Sequence, residues 1–158
     1  YKTPTTLGMD RVALVARAVE KFDNKNVLII DAGTCITFDF VNAKKEYEGG
    51  AISLGLQMRY KALNSFTSSL PLLELESIDN FIGNSTTTSI HSGVVNGVLN
   101  EIKGVIKQYE KKIEDLTVVL TGGDTYFLSK QLKSSIFANP NFVLEGLNTI
   151  LIYNHEEC

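Results

Sequence analysis

The run from Val27 to Val41 constrains this chain more than any other stretch. Val27, Leu28, Ile29 and Ile30 lead into Asp31, the chain turns over Ala32, Gly33 and Thr34, and a second β-rich run leaves toward Val41. Four apolar residues bounded by Asp and Gly predict a buried strand, a tight turn and an antiparallel strand. A carboxylate at a buried strand's end, then a glycine that lets backbone N–H groups converge and a threonine hydroxyl, can cradle a phosphate while the aspartate holds a cation or water. The same residues suit an ordinary Asp-Ala-Gly turn with the aspartate capping it, and the pattern alone leaves both readings open.

Upstream, residues 1–9 have a loop composition, and Asp10 opens a run in which Val12, Val15, Ala16, Val19 and Phe22 recur at helical spacing. Asp10 reads as an N-cap. Arg11 in the first turn opposes the helix dipole, so it calls for an anionic partner, a nearby carboxylate included. Downstream, a third strand is expected over Glu46 to Ile52, where Gly49 and Gly50 invite a close approach to the backbone or a bulge. Helices are expected over Leu54 to Leu70 and Ser85 to Glu110, with a loop or short extended stretch over Leu72 to Ile82. Gly93, Gly97 and Gly104 weaken the second helix, and the four-residue step from Gly93 to Gly97 makes a flat groove for packing, within the chain or between subunits. His91 reads as solvent-facing or capping. Leu116 to Asp124 predicts a buried parallel-type strand breaking at Gly122 and Gly123, then helices over Thr125 to Phe137 and Leu147 to Tyr153. Open α/β sheets bind ligands at that end of their strands.

The bulk numbers narrow the function classes. At 158 residues, 44% apolar and 21% charged, the sequence is long enough for a real core and ordinary for a globular domain. A net charge of −3 with no Lys/Arg cluster argues against a nucleic-acid surface, but not against anionic nucleotides, which backbone amides can hold. Cys35 and Cys158 give no disulfide framework or metal signature, which favours a reducing, cytoplasmic setting. No stretch approaches a membrane span and none reads as a signal peptide.

Paired strands around an Asp-x-Gly-Thr turn, with a later Gly-Gly strand end, match half of the actin-like, sugar-kinase-like (ribonuclease H-like) fold. That is an α/β domain with a mixed sheet and flanking helices, of which two enclose ATP. Within it, the chain resembles the bacterial type III pantothenate kinases. The resemblance rests on Tyr1 and Pro4 with Leu7 to Arg11, on Asp31 to Thr34, on Gly49 to Ile52 with Lys61 to Leu63 and Leu70-Pro71, and on Thr121 to Asp124. It runs from Tyr1 almost to Tyr153. Leu54-Gly55 stands where that family usually has Pro-Gly.

The resemblance implies phosphorylation of the pantothenate 4′-hydroxyl by ATP, the first step toward coenzyme A. It makes Asp10 the general base and gives Tyr1, Gly8, Met9, Arg11 and Thr86 to the pantothenate pocket. Asp31 would hold a monovalent cation, K⁺ or NH₄⁺. Thr34 and Gly33 would meet ATP phosphate, Gly122 and Gly123 would line the nucleoside side, and Mg²⁺ would arrive with ATP. It also implies a homodimer that shares the substrate site, in which Gly93 and Gly97 would pack.

The family opens with a further domain carrying an Asp-x-Gly-Asn-Thr phosphate loop, a motif these 158 residues lack. The expectation is therefore a substrate segment and lead-in helix over 1–26, a C-terminal kinase domain over 27–158, and negligible turnover by these residues alone. A silent regulatory or scaffold relative, a different kinase or phosphohydrolase of the same fold, and a plain interaction domain are the rivals. The set Asp10, Arg11, Asp31, Thr34 and Thr86 disfavours the silent relative, because a scaffold has no use for it.

Overall fold

The computed structural model describes residues 1–78, 80–132 and 136–156. After a short 3₁₀ turn at Pro4–Thr6 come α1 (Met9–Lys21), β1 (Asn26–Ala32), β2 (Cys35–Val41), β3 (Tyr47–Leu54), α2 (Leu56–Ser65) and α3 (Thr86–Glu110). They are followed by β4 (Leu116–Thr121), α4 (Thr125–Ser129), β5 (Phe137–Ala138) and α5 (Phe142–Glu156). The strands form one sheet in the order β3-β2-β1-β4-β5. β1 pairs antiparallel with β2 and parallel with β4, so Asp31 stands beside Thr37 on one side and Thr121 on the other.

The central strand is apolar on both faces because both are covered. Leu28, Ile30 and Ala32 join Ile36, Phe38, Val118 and Leu120 in a core closed by α2, α3 and Leu128 of α4. Val27 and Ile29 pack on the other face with Val41, Val119, Leu14, Ala18 and Phe142, beneath α1 and α5. The buried residues of α1 are Arg11, Ala13, Leu14 and Ala18, with Val15, Val19 and Phe22 flanking them. That stripe is rotated from the expected Val12-Val15-Ala16-Val19-Phe22 face because α5 covers α1 on a second side, its Gly146 seated against the Ala13 backbone.

Several boundaries differ from the sequence expectation. Gly8, not Asp10, is the N-cap of α1, and Asp10 is its second residue. α2 ends at Ser65 rather than Leu70, where Thr67 Oγ1 donates to Leu63 O and Asn64 Nδ2 donates to Leu70 O (2.6 and 2.7 Å), offering the backbone a local alternative to further turns. α3 starts as expected, with Ser85 and Thr88 forming a reciprocal capping box. α4 stops at Ser129, and Phe137–Ala138 is a strand rather than the end of a helix. Part of the helix expected there (133–135), and Cys158, lie outside the described residues, while Cys35 is exposed with a free thiol.

His91 is the clearest reversal. It is 5% exposed, and its Nδ1 lies 2.9 Å from the buried Tyr60 hydroxyl. Burial pushes that phenol up to about 12, aided by the negative charge of Glu76. The face of α3 carrying Gly93 and Gly97 is open instead. Among the described residues, nothing outside the helix's own turns comes within 4 Å of a side chain added at Gly93, and only Arg59 Nη1, at 3.8 Å, approaches one at Gly97.

Candidate functional site

Two glycine turns meet where β1 and β4 end side by side. Gly122 follows β4 at φ +93°, a conformation L-residues rarely adopt, and its backbone lies against Asp31 Oδ1 and the Ala32 carbonyl. Asp124 N donates to Ala32 O (2.9 Å), and the buried Thr125 Oγ1 donates to Gly122 O (2.6 Å). These bonds lock the β4–α4 turn against the β1–β2 hairpin. Across the gap the nearest atom to a side chain added at Gly33 would be Gly123 N, at 4.0 Å, and a side chain at Gly123 would meet nothing within 4 Å. Two glycine turns thus flank open space that a Cβ would partly fill. Among the described residues, no protein acceptor meets the N–H of Gly123 or Thr34 or the exposed Thr34 hydroxyl. Free donors on a small-residue cradle suit an anion.

Asp31 is half-buried beside this cradle. Burial raises its carboxyl above the ordinary range, and the negative charges of Asp10 and Asp39 add to the effect. Burial raises Asp124 as well. Asp10 reaches the same end of the sheet from α1, where its Oδ1 accepts the Arg11 N–H (2.8 Å). Gly8 keeps that carboxylate in place, since a side chain at Gly8 would collide with it. No group of three or more His, Cys, Asp or Glu among the described residues is arranged to hold a metal ion.

Arg11 is 7% exposed and finds its anion within the chain. Its Nε and Nη2 both donate to Asp39 Oδ1 (2.9 and 2.6 Å). Tyr47 OH donates to the same oxygen (2.6 Å), and Thr37 Oγ1 donates to Asp39 Oδ2 (3.0 Å). Burial together with Asp39 drives the Tyr47 phenol far above its usual range. Tyr1 stacks on Tyr47 with ring centroids 5.4 Å apart, and the Arg11 guanidinium stands 5.8 Å from the Tyr1 ring centre.

Of the residues singled out from sequence, Asp31, Gly33, Gly122 and Gly123 converge on one gap, Thr34 edges it, and Asp10 acts on Asp31 electrostatically. Tyr1 and Arg11 form a second group, with Gly8 and the exposed Met9 at the start of α1. Thr86 lies apart, in a shallow hollow with Leu63, Leu70, Ser89, Ile90 and Gly93, and no hydrogen bond or ion pair joins it to Asp10, Asp31 or Arg11. Sequence reasoning missed Asp39 and Tyr47. The signal was present: in the alternation of β2, Asp39 takes the inward register opposite Ile29, where a lone carboxylate demands a partner.

The sheet order, helices on both faces and glycine-lined gap at the strand ends define an α/β domain of the actin-like type. Solved structures agree on the fold. A Campylobacter jejuni protein assigned to the Baf family of transcriptional activators superposes with a TM-score of 0.65 at 21% identity, over 97% of this chain and 67% of that one. The activator of 2-hydroxyisocaproyl-CoA dehydratase from Clostridium difficile, with bound ADPNP, gives 0.50 at 10% identity over 94% and 67%. Residues 1–108 match the type III pantothenate kinase family, and the chain belongs to it. The type III pantothenate kinase of Christiangramia forsetii is 58% identical over 98% of this chain and 63% of its own length. That of Flavobacterium psychrophilum is 52% identical over 97% and 64%. The chain therefore spans just under two thirds of the length of these curated relatives.

Proposed function

We propose that this chain supplies the acceptor base and one wall of the nucleotide site of a kinase that transfers the γ-phosphoryl group of ATP to the 4′-hydroxyl of pantothenate, leaving ADP. The observation that carries the reading is the paired-glycine gap at the ends of β1 and β4, with Asp31 beside it and Asp10 close enough to act on Asp31's charge. Phosphoryl transfer asks chiefly for in-line placement and compensation of charge. Asp10 is built for the first task. One of its oxygens is engaged by the Arg11 N–H, and the other is left to orient the hydroxyl and take its proton. The Thr34 hydroxyl and N–H and the Gly123 N–H are donors for phosphate oxygens, while Gly33 and Gly123 keep the approach clear.

Tyr1, Gly8, Met9 and Arg11 form the acceptor side, and Thr86 belongs to the shared site of a homodimer. The open groove along Gly93, lined also by Leu54, Ala62, Leu63 and Phe66, with Phe66 89% exposed, supports an interface on that face. The donor set does not fit a divalent ion caged by protein alone, so Mg²⁺ arrives on the nucleotide and keeps several waters. Asp31, one carboxylate beside backbone carbonyls, fits a monovalent cation, K⁺ or NH₄⁺, which would supply positive charge next to the phosphates. No described helix is long and apolar enough to cross a membrane, which accords with a cytoplasmic enzyme of coenzyme A synthesis. The test is pantothenate-dependent ADP formation by the full-length protein with ATP, Mg²⁺ and K⁺, beside Asp10→Asn. Activity lost in the variant is expected; activity in neither protein rejects the reaction, and equal activity in both removes Asp10 as base.

A further inference from the structure

We propose that Asp39 is a positioning residue for the acceptor pocket: one buried carboxylate orients Arg11 directly and Tyr1 through Tyr47. The inference rests on the reading above that Arg11 and Tyr1 contact the acceptor. Asp39 is 0% exposed on a strand whose other inward positions are apolar or a small hydroxyl. A carboxylate there costs more than an apolar residue of similar volume, and buried ion pairs can often be replaced by hydrophobic packing without loss of stability. What apolar packing cannot do is fix the rotation of a guanidinium and a phenol.

The hydrogen bonds on Asp39 do this. Arg11 presents its Nε–Nη2 edge to Oδ1, which turns the third nitrogen, Nη1, away from the pair. Nη1 has no hydrogen-bond partner among the described residues and is not fully buried, so it keeps access to solvent. A planar fork with one edge anchored offers its remaining N–H groups in a fixed direction, as recognition of an acceptor carboxylate or amide oxygen requires. Tyr47 is tied to the same oxygen, and its ring is the platform on which Tyr1 stacks at an interplanar angle of 16°. Beneath Tyr1 lies Gly49, at φ +100°, where an added side chain would stand 3.5 Å from the ring. Asp39 therefore sets the orientation of one acceptor residue and the height of the other.

Steady-state ADP formation by the full-length protein tests this, with pantothenate and ATP varied separately and a urea midpoint taken for each variant. Tyr47→Phe removes one hydrogen bond and no ring, and should raise KM for pantothenate about tenfold while leaving KM for ATP within about twofold. In a Tyr1→Ala background the same substitution should change KM for pantothenate no further, because its route to the substrate is gone. Asp39→Asn should lower kcat/KM for pantothenate about a hundredfold. If that variant fails to fold, the Tyr47–Tyr1 cycle decides alone. A lower urea midpoint with an unchanged pantothenate KM, or a Tyr47→Phe effect equal in both backgrounds, makes the cluster merely structural and overturns the proposal. A wild-type protein without pantothenate-dependent ADP formation overturns the proposed reaction and this inference with it; an active wild type indifferent to Tyr47→Phe overturns this inference alone.

Discussion

Gly122→Ala puts the backbone argument for the site under direct strain. At φ +93° an L-residue gives up about 1–2 kcal/mol. The added methyl would also fall against Asp31 Oδ1 and the Ala32 carbonyl, coming 2.7 Å from the Ala32 carbonyl carbon. Asp31 can swing aside, but Ala32 cannot, because it ends the central strand and its oxygen accepts the Asp124 N–H at 2.9 Å. Forcing a methyl into packed surroundings adds about 1–3 kcal/mol, for a total near 2–5 kcal/mol. With a urea slope of about 2 kcal/mol/M the unfolding midpoint should drop by roughly 1–2.5 M. Gly123→Ala is the control, since its added methyl meets nothing within 4 Å. It should leave the unfolding free energy within about 0.5 kcal/mol of wild type while weakening nucleotide binding, because the methyl enters the open gap. Equal midpoints for wild type and Gly122→Ala, at unchanged slope, would refute the reasoning.

Two further outcomes follow from buried polar groups. Asp31 titrates above its unfolded value through burial and the charges of Asp10 and Asp39, so the native state holds its proton more tightly and stability falls as pH rises through the folded value. Asp31→Asn should therefore unfold at higher urea than wild type at pH 7, with the gap closing as the pH is lowered toward 4; a variant less stable at pH 7 contradicts this. Tyr60→Phe leaves the buried His91 Nδ1 without its 2.9 Å partner and should cost about 1–3 kcal/mol in urea unfolding, whereas a solvent-facing His91 would make the change neutral.

Local pattern carried most of the fold. The Val27–Val41 hairpin, the Ser85 start of α3 and the strand ending at Gly122 were legible because each combines periodicity or an apolar run with its own stop signal. What escaped depends on partners remote in sequence. Nothing near His91 announces Tyr60, thirty-one residues away, so its burial could not be read locally. β5 is two residues long, and its pairing with Val119 and Leu120 makes it a strand where propensity favoured helix. At the site, the glycine turns and Asp31 were visible as a motif. Arg11 was correctly read as needing an anion, but Asp39, twenty-eight residues on, lay hidden between Phe38 and Phe40 as one polar letter in a strand.

The parallel pairing of β1 with β4 also bears on when the gap can come into being during folding. Asp31 and Thr121 are neighbours across the sheet but about ninety residues apart along the chain, whereas β1, β2 and β3 are joined by short turns. Closing the long loop costs entropy before its contacts repay it, so local pairings form first. A chain with only the β1–β2–β3 meander in place already holds Asp31, Gly33 and Thr34, yet has no Gly122–Gly123 turn facing them. Ligand that needs both walls binds only after β4 docks, so it slows unfolding by holding the longest-range contact shut and does nothing for the early, local steps.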